Sequence, residues 1–128
     1  MNVKTNTKEK FIVLIPEAAV ISANMTEEIQ KLGEYAVPEV PHLIVNMCNV
    51  NIIAPEAAQK FAALQQEFYE RDHSFVICEM QPEVEKVFDS EDLTELMNIT
   101  PTESEAGDIV QMEEIERELT GEWEEDGI

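Results

Sequence analysis

A chain of 128 residues with 44% hydrophobic content makes about one ordinary domain, able to bury a core without disulfide or metal staples. Its formal net charge of −20 argues against nucleic acid and anionic membrane surfaces as partners, because phosphates attract lysine and arginine and would repel this surface. A basic protein partner suits that charge, and so does plain solubility.

FIVLIP, residues 11 to 16, and AAVISA, residues 18 to 23, are short apolar runs broken by Pro16 and Glu17, which predicts two strands of a hairpin or meander. Asn24 stands three residues before Glu27, a capping-box-like start. Met25, Ile29 and Leu32 follow at helical spacing, so a first helix is expected to about Tyr35. VPEVP, residues 37 to 41, ends it, since each proline removes a donor and biases its predecessor toward extended backbone.

HLIVNMCNV, residues 42 to 50, has little alternation and reads as a central strand covered on both faces. From Pro55 to about Arg71 a second helix is predicted, with Ala58, Phe61, Leu64 or Gln65, and Phe68 on its inner face. SFVICEM, residues 74 to 80, is the next buried strand; a short helix after Pro82 turns Val84, Val87 and Phe88 inward; LMNI, residues 96 to 99, is a brief last strand. Thr102 and Glu105 form a capping box for a closing helix whose stripe is Ala106, Ile109, Val110, Met112, Ile115 and Leu119, ending near Gly121. EWEEDGI then reads either as a solvated acidic tail or as a docking tail anchored by Trp123.

Strands alternating with helices imply parallel pairing through right-handed crossovers. The expectation is an α/β single domain over residues 1–121, with an acidic C-terminal tail at 122–128. Its sheet is mixed and mostly parallel, with four to five strands packed with about four helices. No run approaches the ~18 apolar residues of a membrane span, and MNVKTNTKEKF lacks the apolar stretch of a secretory leader. A cytoplasmic location without membrane insertion is therefore expected, and Cys48 and Cys78, both inside apolar runs, are expected to be free core thiols.

Signatures of chemistry are scarce. His42 and His73 sit at strand starts with no helical partner ligands, so no metal is expected. The glycines, Gly33, Gly107, Gly121 and Gly127, are scattered, and neither a phosphate loop nor a nucleophile elbow is present. No catalytic residue and no cofactor is assigned, and the chain is not expected to be an enzyme. Ser74, Ser90, Thr102 and Ser104 read as turn and cap residues.

Several pieces in register resemble the STAS domain, the module shared by anti-sigma-factor antagonists and sulfate transporters. LIVNMCNVNII resembles the family's apolar strand and following apolar pair, and SFVICEMQPEVEKVF its next strand and short helix. LTELMNITPTESEA resembles its leucine-rich turn, final strand and capped last helix, and VQMEEIEREL a C-terminal extension of one bacterial subset. The resemblance implies a STAS-like fold and a corner, after Ile52 and Ile53, where switching members carry Asp-Ser-Ser-Gly or Asp-Ser-Thr-Gly and are phosphorylated on the third residue. Here those positions read Ala54, Pro55, Glu56 and Ala57. All four depart, and no hydroxyl is left to modify.

Two readings of the corner stay open. Pro55 and Glu56 suit a helix start, because proline's missing N–H would have been unpaired and a carboxylate favours the positive end of the helix dipole. Alternatively, Glu56 supplies permanently the negative charge that phosphorylation would add. By resemblance the chain is a degenerate regulatory module of bacterial partner-switching signalling. Its implied partners are an anti-sigma or histidine-kinase-like protein, or other STAS domains, with a homodimer left open. Candidate contact residues are Ala54, Pro55, Glu56, Ala57, Gln59, Lys60 and Ala63. The alternative is a STAS module that senses a small molecule, a nucleotide or a lipid.

Overall fold

In the computed structural model, which describes residues 2–8, 10–36 and 42–126 (backbone alone for 32–36 and 120–126), the apolar runs lie side by side. Among the described residues there are seven strands: β1 (Val3–Thr7), β2 (Phe11–Pro16), β3 (Val20–Ile21), β4 (His42–Asn46), β5 (Ile52–Ile53), β6 (Phe75–Cys78) and β7 (Ile99–Thr100). The same residues form four helices, α1 (Ala23–Ala36), α2 (Pro55–Glu70), α3 (Pro82–Ser90) and α4 (Glu103–Asp126). The main sheet has the order β1-β2-β4-β6-β7. β2, β4, β6 and β7 pair in parallel, and β1 joins antiparallel to β2. Every residue of β4 and β6 is buried, as parallel strands sandwiched between helices must be. This is the mixed, mostly parallel α/β architecture expected, with five strands in its main sheet.

Side-chain alternation divides the core in two. Leu43, Val45, Phe75 and Ile77 point to one face, where they pack with Ile29 of α1, Phe61 and Phe68 of α2, and Val84 and Phe88 of α3. Ile44, Val76 and Cys78 point to the other, where Ala106 and Val110 of α4 cover them with Val13. A Cβ added at Gly107 of α4 would meet the Phe11 ring of β2 at 3.4 Å, an ordinary contact distance.

Past Val110, α4 is held by polar groups. His42 Nδ1 accepts from the Ser74 backbone N–H at 2.9 Å, so Nε2 carries the proton and donates to Glu114 Oε2 at 3.2 Å. Arg117 Nη1 donates to Ser74 Oγ at 3.1 Å, and the guanidinium lies 5.9 Å from the Tyr69 ring centre. Tyr69 and Asn98 both donate to Glu113 Oε2, at 2.6 and 3.0 Å. The start of α4 is doubly capped: Thr102 Oγ1 accepts from Glu105 N at 3.2 Å, as the capping box predicts, and Glu79 Oε2 accepts from Glu103 N at 2.8 Å.

The structure departs from the sequence reading at several elements, each for a local reason. FIVLIP forms its hairpin with β1 before it, a strand that was not anticipated because its burial is slight and its residues polar. The short Val20–Ile21 run pairs in parallel with β5 as a separate two-stranded sheet. Asn24 lies inside α1, which begins at Ala23, so it does not cap. The VPEVP break lies outside the described residues.

Cys48 is exposed rather than a core thiol. The strand stops at Asn46, whose side-chain oxygen accepts from Cys48 N at 3.0 Å, and Val50 N closes the turn onto Met47 O at 3.0 Å. Cys78 does lie in the core, where burial first, and then Glu103, Glu79 and Cys48, push its thiol up to about 12. The last strand is Ile99–Thr100, slightly later than expected. The backbone of α4 continues past Gly121 to Asp126, and Met112, Ile115 and Leu119 do not join the inner stripe.

Candidate functional site

The corner is built by the small sheet. Asn51 and Ile52 both donate their N–H groups to Ala19 O, at 2.7 and 2.9 Å, and Ala54 N donates to Ile21 O at 2.9 Å. This pairing aligns Val20 with Ile52 and Ile21 with Ile53. Two-residue strands have one residue on each side. Ile21 and Ile53 are fully or almost fully buried, while Val20 and Ile52 stand 48% and 59% exposed, so an apolar pair faces solvent directly before the helix.

Ala54 then takes an extended backbone (φ −70°, ψ 142°) at the N-cap of α2, with no side-chain hydrogen bond closing the helix end. Its carbonyl accepts from Ala57 N at 2.9 Å and Ala58 N at 3.1 Å. Pro55 occupies the first turn, where its fixed φ suits the helix. Glu56 also lies in that turn, exposed, where the helix dipole favours a carboxylate by ~0.3 to 1 kcal/mol.

The seven sequence-predicted residues do not form one face. Pro55, Glu56, Gln59, Lys60 and Ala63 are exposed, Ala54 is half-buried, and Ala57 is fully buried in the core against its neighbours. Ala57 therefore leaves the set of surface contacts: at 3.6 residues per turn it shares the inner side of α2 with Phe61 and Leu64. Gln59 and Lys60 hold neighbouring helices. Gln59 Nε2 donates to Glu91 Oε1 beyond α3 at 2.8 Å, and Lys60 Nζ donates to Glu27 Oε1 of α1 at 3.1 Å. Lys60 and Ala63 border a shallow groove between α1 and α2 that Thr26, Gln30 and Glu67 also line.

Sequence reasoning missed Val20 and Ile52 as surface residues. The available signal was the brevity of the apolar pairs, Val20-Ile21 and Ile52-Ile53: in an extended pair one side chain must point away from the core. Val20, Ile52, Pro55 and Glu56 are thus all exposed where β5 runs into α2. Ser90 and Thr102 serve as the turn and cap residues expected, Ser90 Oγ donating to Val87 O at 2.9 Å. Among the described residues no group of three His, Cys, Asp or Glu side chains could hold a metal ion. No helix among them is long and apolar enough to cross a membrane.

A mixed, mostly parallel sheet with three helices on one face, one on the other, and an exposed strand-to-helix corner beside a small second sheet defines an α/β fold among the described residues. The chain belongs to the STAS domain family, whose model matches residues 2–106. It is similar in structure to a Thermotoga maritima protein described as an anti-sigma factor antagonist, at 15% identity and a TM-score of 0.70, over 85% of this chain and 94% of that one. The anti-sigma factor antagonist SpoIIAA in its unphosphorylated form matches at 18% identity and a TM-score of 0.67, over 86% and 96%. RsbS of Moorella thermoacetica, carrying a serine-to-glutamate substitution, matches at 10% identity and a TM-score of 0.70, over 87% and 96%. The chain matches none of the curated proteins in sequence.

Proposed function

We propose that this chain is a non-catalytic, cytoplasmic regulatory module that acts by binding a partner protein through the corner, in bacterial signalling of the partner-switching kind. The partner class is an anti-sigma or histidine-kinase-like protein, or another STAS domain. The observation that carries the reading is the exposed, paired Val20 and Ile52 at the strand-to-helix corner whose first helical turn carries the exposed Glu56; they offer apolar anchors to a partner. In this reading residues 1–121 are the working domain and 122–128 an acidic extension.

With Ala54, Pro55, Glu56 and Ala57 in place of the switch sequence that the resemblance implies, the corner has no hydroxyl to take a phosphoryl group. Its charge is constant. A partner that recognises the negatively charged form of a relative would find this protein always in that form, within the limit that one carboxylate carries less charge than the ≈ −1.5 to −2 of a phosphate.

Affinity capture of the tagged protein from a lysate of its source tests this, with wild type beside Ile52→Lys and Glu56→Ser. Recovery of a kinase-like or STAS protein by wild type, and its loss with Ile52→Lys at unchanged melting temperature, is the expected result. Equal recovery by wild type and Ile52→Lys would remove the corner from the interface. If Glu56→Ser binds the recovered partner as wild type does, the charge does not control recognition.

A further inference from the structure

The corner is not the only surface on which apolar side chains meet solvent. Met112, Ile115 and Leu119 of α4 are 54%, 52% and 51% exposed. At 3.6 residues per turn they fall on one stripe, about half a turn away from the buried Ala106 and Val110. The helix is thus apolar on two opposite sides: the inner one is covered by the sheet, and the outer one has no covering element among the described residues.

The exposed charges that α4 itself carries around the outer stripe have a single sign, and the lysines nearest the helix, Lys8 and Lys10, lie at its β2 edge, with Lys10 paired to Glu114. Asp108, Glu116 and Glu118 are exposed on the same length of helix. Arg117, the only base in the sequence of α4, is turned inward, donating to Ser74 and lying by the Tyr69 ring. A second copy laid on this face would bring acid against acid, which is destabilising at close spacing. A basic helix would meet opposite charge along both edges while its own apolar residues covered the stripe. Residues three and seven apart are the spacing at which one helix receives another.

We infer that the outer face of α4 docks a basic amphipathic helix of a partner protein, its apolar side on Met112, Ile115 and Leu119 and its lysines or arginines toward Asp108, Glu116 and Glu118. This site is on the opposite face of the main sheet from α1, α2 and α3 and is independent of the corner.

A synthetic peptide of about 18 residues, long enough to hold a helix, with leucines at helical spacing and lysines elsewhere, is titrated into the full chain by calorimetry. A scrambled peptide of the same composition is run beside it, and both are repeated on the double variant Ile115→Gln, Leu119→Gln. Both positions are half-exposed, so the melting temperature of the variant is expected to hold. Support is saturable binding of the ordered peptide to wild type, weakened at least about tenfold in the variant, the weight of one interface anchor, with the scrambled peptide weaker still. Equal binding to wild type and variant, or equal binding of the two peptides, would mean charge attraction alone and overturn the inference. A dimer of wild type seen by sedimentation without peptide and lost in the variant would give the face to a second copy, and would overturn it as well.

Discussion

His42 shows how one residue couples the burial of the sheet to the position of α4. It is almost fully buried, it accepts from Ser74 N at Nδ1, and it donates to Glu114 from Nε2. Burial holds its pKa below 6.5, outweighing the opposing pull of Glu114. His73 is lowered for the same reason, and then by Arg117 and Arg71. A histidine whose folded value is depressed is kept neutral by the fold. The unfolded chain takes up its proton first, so stability is full above about pH 6.5 and falls as pH drops through that value. Glu114, held low chiefly by its hydrogen bond from Lys10, adds a second loss of the same sign below about pH 4.5, the ordinary carboxylate range. Urea unfolding from pH 8 to pH 5 is expected to show a declining midpoint, with a shallower decline in His42→Gln. A flat wild-type profile would mean that neither imidazole is protected.

The elements succeed or fail as units for reasons that differ from strand to helix. Helix α2 carries a proline at its start, an acid in its first turn and a continuous inner stripe, so local sequence and tertiary packing agree. Its neighbour α4 combines a well-capped start with Gly107 in its interior, where glycine costs ~0.5 to 1 kcal/mol relative to alanine. A methyl at that position would meet the Phe11 ring at 3.4 Å, an ordinary contact. Gly107→Ala is therefore expected to stabilise the protein by about 0.5 to 1 kcal/mol, read as a rise in melting temperature of about 2 to 8 °C. A fall would show that β2 needs the closer approach. Edge strand β1 lies at the other extreme: four of its five residues are exposed, so its stability rests on backbone pairing with β2 more than on burial.

For the whole molecule the dominant global term is charge. A net −20 on 128 residues opposes compaction through self-repulsion, and the few bases are spent locally, Lys60 on α1 and Lys10 on α4. Salt screens the long-range repulsion while leaving the apolar core untouched. The melting temperature is expected to rise from low salt to molar sodium chloride by about 4 °C or more per ~1 kcal/mol relieved. A decrease would mean that the surface ion pairs contribute more than the repulsion costs. The same field makes both candidate docking surfaces selective, since any partner with a negative face is kept away.

The sequence by itself determined the order of the α2, β6, α3 and α4 units, the inner faces of α2 and α3, and the cap of α4. Periodicity, prolines and capping pairs are local signals, and these elements obey them. What only the tertiary structure decided is pairing and exposure. FIVLIP looked forward for a partner and found one behind it in β1, because strand pairing is a long-range choice that alternation does not encode. Ala57, Cys48, Val20 and Ile52 each exchanged the side expected of them or showed one that had not been assigned, since burial depends on which neighbour arrives from elsewhere in the chain. For α4 the sequence carries one apolar list, but Ala106 and Val110 lie on the side that meets the sheet, while Met112, Ile115 and Leu119 lie about half a turn away and are exposed, with no element among the described residues over them.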